Sequence, residues 1–138
     1  MCDDVKYVLV TMHHPMVTRS RSRGFTRGHA ALPEHKELAS WVESWSGKAH
    51  YRIIAFSGHV HNYERYDLNG VMFVVSGGSG GRPHVIEREA RDAYTGKGPT
   101  YHYCVIEADS NQFRFRMRRF DTKDRQWRDA DSFTLMAW

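Results

Sequence analysis

Three short apolar runs, each ending in chemically unusual residues, constrain this chain most. Val8-Leu9-Val10-Thr11-Met12 runs into His13-His14-Pro15. Ile53-Ile54-Ala55-Phe56-Ser57 runs into Gly58-His59-Val60-His61. Val71-Met72-Phe73-Val74-Val75 runs into Ser76-Gly77-Gly78-Ser79-Gly80-Gly81. Short apolar runs bounded by Gly and Pro read as buried strands. Strands whose chemistry gathers at their ends are the pattern of an α/β or α+β protein with its site there. In extended backbone, residues two apart point to the same side. His59 and His61 can then face one spot, giving two ligands to one metal or one to each of two neighbouring metals. The plainer alternative is a pair of loop histidines bonded to backbone.

The rest of the chain reads as one domain over residues 1–138, long enough for a real core. Residues 5–12 form a strand whose apolar run predicts burial on both faces, as in a central or parallel strand. Residues 17–31, with Arg19, Arg21, Arg23, Arg27 and His29, form an irregular loop. It is either a solvated segment or an arginine-lined phosphate entrance, since guanidinium matches phosphate oxygens bidentately. A helix follows over 34–46, with Pro33 at its start and Gly47-Lys48 at its end. Leu38, Trp41, Val42 and Trp45 make one apolar stripe, predicted to pack on the sheet. Strand, helix, strand then gives a crossover that brings His13 beside His59 and His61.

Asp67-Leu68-Asn69-Gly70 is a turn signal joining a strand around 63–67 to the antiparallel strand 71–76. The glycines at 77–81 are not followed by Gly-Lys-Ser/Thr and do not form a P-loop. Residues 82–100 read as a polar surface excursion. Residues 101–108 and 112–120 form a hairpin through Ser110-Asn111. In its second strand Phe113, Phe115 and Met117 face inward and Arg114, Arg116 and Arg118 outward. Residues 126–138 add an edge strand or dock on the core.

Net charge is +4 with a pI near 9.2, which suits an anionic substrate without demanding nucleic acid. A nucleic-acid face would interleave aromatics with the arginines, and here they alternate to opposite faces. The two cysteines, Cys2 and Cys104, indicate no disulfide framework. No apolar run approaches the ~20 residues of a membrane span. Met1-Cys2-Asp3-Asp4 does not read as a signal peptide.

His13-His14-Pro15, Gly58-His59-Val60-His61 with Asn62-Tyr63-Glu64-Arg65, and Ser76-Gly77-Gly78-Ser79-Gly80-Gly81 together resemble the C-terminal half of a calcineurin-like metallophosphoesterase. The Asn-Tyr-Glu-Arg extension is most similar to the purple acid phosphatase branch. The resemblance implies a mixed α/β (α+β) fold: part of a metallophosphoesterase sandwich, with a mixed β-sheet, one main crossover helix and a C-terminal hairpin. It implies a phosphoester substrate and two metal ions (Fe, Zn or Mn). His13 and His59 would ligate one ion and His61 the other. Gly77 and Gly78 would let backbone approach the substrate, with His14 and Arg19 as further substrate contacts. His29 or His35 would serve as the proton-donating or substrate-contacting histidine.

The family's other half carries Asp-x-His, Gly-Asp and Gly-Asn-His-Asp/Glu, none of which occurs here. The chain is therefore expected to supply only the histidine side of the centre. Alone it should bind at most one metal weakly, with little phosphatase activity. It should need a missing N-terminal half, a partner chain or self-association. The competing expectation is a non-catalytic binding or scaffolding module that keeps the fold.

Overall fold

A computed structural model describes residues 4–21, 29–98 and 101–138. Cys2, Arg23 and Arg27 lie outside the described residues.

The first apolar run becomes β1 (Tyr7–Met12), the helix is α1 (Pro33–Ser46), and the second run becomes β2 (Arg52–Ser57). A hairpin follows, β3 (Tyr63–Leu68) and β4 (Val71–Ser76), turned by Asn69 and Gly70, both in the left-handed region. The chain closes with β5 (Tyr101–Ala108), β6 (Gln112–Asp121) and β7 (Gln126–Met136). Two sheets result, ordered β1-β2-β4-β3 and β5-β6-β7. In the first, β1, β2 and β4 run parallel and β3 antiparallel. The second is antiparallel throughout. This is the expected mixed α/β architecture, and the tail supplies a full third strand to the second sheet. No helix among the described residues is long and apolar enough to cross a membrane.

The first sheet has core on both faces because its side chains alternate. One face, with Ile53, Ala55, Val71 and Phe73, meets α1 through Ala39 and Val42. The other, with Ile54, Met72 and Val74, meets Phe113, Phe115 and Met117 of β6. The predicted inward alternation of β6 is borne out, since those three residues are 0–1% exposed.

Two expectations need correction. The first concerns β1, which is an edge strand buried on neither face throughout; Leu9 is 49% exposed. Its parallel pairing with β2 holds. A continuous apolar run marks burial on both faces only where a layer covers each face, and β1 is covered incompletely: Leu9 and Thr11 are exposed while Val8, Val10 and Met12 are half-buried.

The second concerns the tryptophans of α1, which are not buried against the sheet but line an open groove with Val8 and Val10 of β1 and Ile53 of β2. Trp41 and Trp45 are 59% and 45% exposed, while Ala39, Val42 and Ser46 are buried. The small side chains at 39 and 46 let the helix approach the strands closely. The indoles sit to one side, against each other at 6.0 Å.

Candidate metal centre

β1 and β2 are parallel, so the segments leaving their C-terminal ends emerge at one rim. His13 and His14 follow β1, and Gly58–Asn62 follows β2. The Gly58 N–H donates to the His13 carbonyl at 3.0 Å and ties the two segments together. After Gly58 the backbone is not extended. The Val60 N–H reaches the Gly58 carbonyl and the Asn62 N–H the Val60 carbonyl, each at 2.7 Å. These two tight turns hold His59 at φ 62°, a left-handed conformation that costs an L-residue ~1–2 kcal/mol. Such strain persists only where surrounding contacts over-determine it.

The turns send His59 and His61 to different neighbours. His13 Nε2 and His59 Nδ1 are 3.1 Å apart, and the His14 and His59 ring centroids are 4.2 Å apart. Ligand nitrogens of His13, His14 and His59 all lie within 4.8 Å of one another. Zn–N bonds of ~2.0–2.1 Å in a tetrahedron place nitrogens ~3.3 Å apart, so this group could hold a metal ion with small side-chain adjustments. His61 instead stacks on His84 at 4.7 Å, and its Nδ1 lies 3.3 Å from the Arg82 carbonyl oxygen. His29 stands between the groups, 4.6 Å from His59, 4.4 Å from His84 and 6.2 Å from His61. His35, from the first turn of α1, stacks on His14 at 5.6 Å. The Nδ1 atoms of His29 and His35 are buried without a hydrogen-bond partner among the described residues. A buried donor or acceptor left unmade is costly, so these orphans mark a place suited to a ligand.

Burial depresses the basicity of His59, and the neighbouring His14, His29, His13 and His61 add to it by charge repulsion. His84 shifts downward for the same reasons, burial first and then His29 and His61. Both rings are thereby favoured in the neutral form that a metal requires.

The loops after β4 shape the same rim. A Cβ at Gly77 would lie 2.1 Å from the Val60 carbonyl oxygen, and one at Gly81 2.3 Å from the His61 ring. The glycines let this loop lie flush against the histidine turn. Gly78 accepts a backbone hydrogen bond from His102 at 3.3 Å.

Asn62-Tyr63-Glu64-Arg65 forms the scaffold beneath. Asn62 is fully buried, and its side-chain amide donates to the His84 carbonyl and accepts from the Tyr63 N–H at 2.7 Å. Glu64, also fully buried, accepts from the Thr18 hydroxyl at 2.7 Å, the Arg19 N–H at 2.8 Å and the Tyr66 hydroxyl. The Arg19 guanidinium, a sequence candidate for substrate, is committed to Asp92 at 2.6 Å and Glu89 at 2.7 Å.

Sequence reasoning gave His84 no special place, because its surroundings show no period or motif. It made His14 a substrate contact, whereas the structure places it beside His13 in the metal-capable group, although neighbouring side chains of a strand would point to opposite sides. Alternation fails there because β1 ends at Met12.

No family model matches this chain, and no curated protein does. Among solved structures it is similar to a crystal structure of a Vps29 double mutant from Entamoeba histolytica, with 16% identity and a TM-score of 0.40. The match covers 84% of this chain and 60% of that one, so this chain spans under two thirds of its length.

Proposed function

We propose that this chain is the histidine-bearing half of a metal-dependent phosphoester hydrolase, similar to the acid phosphatases. The observation that carries the reading is the meeting of His13, His14 and His59 at the rim of a parallel sheet, beside a glycine loop. The order of the motifs along the chain supports it.

His13 and His59 would hold one ion and His61 a second, drawn from Fe, Zn or Mn. A bound ion acts as a Lewis acid on a phosphoryl oxygen and makes water acidic enough to attack near neutral pH. The chain's own residues do the rest. Gly77 and Gly78 leave room for a phosphate close to backbone. His14 orients the ester at the same rim. His29 or His35, each with an unpartnered Nδ1, delivers a proton to the leaving oxygen.

The metal-capable group contains only imidazoles, so the ion's charge is uncompensated within it. The carboxylates come from an N-terminal half or a second polypeptide. That same lack favours the second reading, a non-catalytic module.

The test is p-nitrophenyl phosphate turnover with added Zn2+ or Mn2+. We expect near-background rates for the chain alone. Rates should rise when a polypeptide carrying the Asp-x-His and Gly-Asn-His-Asp/Glu motifs is supplied, and His59→Ala should abolish the rise. No rise would leave only the binding module. Two tight metals and fast turnover in the isolated monomer would overturn the half-site reading.

A further inference from the structure

A groove with a volume of 690 Å3 opens between the segment carrying Pro83 and the turn that joins β6 to β7. Among the described residues, none of the rim histidines lines it, so it is a separate cavity. Its size is that of a site for a small ligand.

The lining has two parts. Tyr101 and Phe120 stand opposite each other in the β5–β6 register and supply flat aromatic surface, with Tyr101 38% exposed. The Trp127 ring lies 5.0 Å from Phe120 and extends that surface. The remaining wall is polar and carries more positive than negative charge: Arg119, Lys123 and Arg128 against Asp121 and Asp129. Both carboxylates are already engaged. Asp121 holds Arg128 at 2.6 Å, and Asp129 faces the Arg118 guanidinium at 3.0 Å. The Lys123 ammonium has no carboxylate partner among the described residues. An aliphatic ligand would leave this wall's polar groups unpaired. A bare inorganic anion would leave the rings uncovered. A flat ring and a negative charge in one molecule satisfy both parts.

We propose that this groove binds a free nucleotide, with its base on Tyr101 and Phe120 and its phosphates against Lys123, independently of any metal at the histidine rim. Base–aromatic stacking tolerates any base, because every base has a π-face. A single nucleotide fits better than a nucleic-acid strand. Along the rest of the sheet's open face the arginines are matched by acids, Arg114 and Arg116 with Glu107 and Arg118 with Asp129. A strand needs a continuous cationic track for its backbone, and these pairs interrupt it.

The experiment is calorimetric titration of the purified chain with ADP in excess EDTA, beside adenosine, pyrophosphate and a short oligothymidylate. Amide NMR shifts locate the bound ADP. Variants are Tyr101→Ala, Tyr101→Phe and Lys123→Glu, with circular dichroism confirming that each folds. Lys123 is exposed in a turn, so its variant keeps the test decisive if Tyr101→Ala unfolds. We expect ADP to bind at least ~5-fold more tightly than adenosine or pyrophosphate, with shifts at Tyr101 and 120–123. Tyr101→Ala should weaken ADP by ~5-fold or more, and Tyr101→Phe, which keeps the ring, should match the parent chain. Lys123→Glu should weaken it ~2–5-fold at low salt, with the difference fading as salt rises. Pyrophosphate binding as well as ADP, or full ADP affinity in Tyr101→Ala, would overturn the stacking floor. Adenosine binding as well as ADP would overturn the role of charge. Shifts confined to His13, His14 and His59 would place the ligand at the rim and overturn the separate site. Oligothymidylate binding ~10-fold more tightly than ADP would replace the nucleotide with a strand.

Discussion

Gly77 marks how closely the rim is packed. Its missing side chain is what allows the loop after β4 to touch the Val60 carbonyl. Gly77→Ala should destabilise the fold by ~1–3 kcal/mol, because backbone rather than a flexible side chain must move. Gly80→Ala, where nothing lies within 4 Å, should change stability by less than ~0.5 kcal/mol. Urea denaturation of both variants checks the pair. Cys104 shows burial acting on a titrating group. Desolvation pushes its thiol up to about 11, against a smaller opposing effect of the hydrogen bond with Ser76. The group is therefore almost entirely a protonated thiol near neutral pH. Iodoacetamide at pH 8, read by peptide mass mapping, should leave Cys104 of the folded protein almost unlabelled, label it quickly in urea, and label it faster in the folded form as pH approaches 11. Rapid labelling of Cys104 in the folded protein at pH 8 would contradict the burial.

Helix α1 shows where apolar periodicity stops being informative. Pro33 in its first turn, Glu34 beside it and Gly47 as its C-cap set boundaries that are local, and the sequence carries them. Which stripe faces the sheet is not local. Leu38, Ala39 and Val42 face the core, whereas hydrophobicity alone ranks Trp41 and Trp45 beside them. Val42→Ala should cost ~2 kcal/mol through lost burial and a small cavity. Trp41→Ala should cost well under that. Thermal melts of the two variants separate these values. Acrylamide should quench the tryptophan emission of the folded protein readily, because both helix indoles are about half exposed.

Besides the apolar core between them, the two sheets are joined by a buried polar tie. Asp131 of β7 accepts from Arg65 at 2.7 Å and from the Tyr63 hydroxyl at 2.7 Å. The Asp131 and Arg65 side chains are only 9% and 12% exposed. Removing the carboxylate would strand a mostly buried guanidinium, so Asp131→Ala should cost ~3–5 kcal/mol. Asp131→Asn, which keeps a hydrogen-bond acceptor, should cost less. Both are read by denaturant titration, and equal costs would argue against a charge-based tie. The tie also explains the tetrapeptide after the histidine motif. Its Tyr and Arg bind the second sheet, its Asn holds the His84 loop, and its Glu holds the Thr18–Arg19 loop.

The sequence by itself determined the strands, the helix limits, both hairpins, the inward face of β6 and the segments that carry the histidines. All of these follow from period, turn chemistry and strand ends, which are properties of neighbouring residues. Only the tertiary structure decided that β1 is an edge, that the tryptophans stand aside, and that His14 joins His13 while His61 joins His84. Those outcomes depend on two tight turns after Gly58 and on which surfaces cover which. Contacts between residues far apart in the chain, such as His14 with His59 and His61 with His84, leave no local pattern to read.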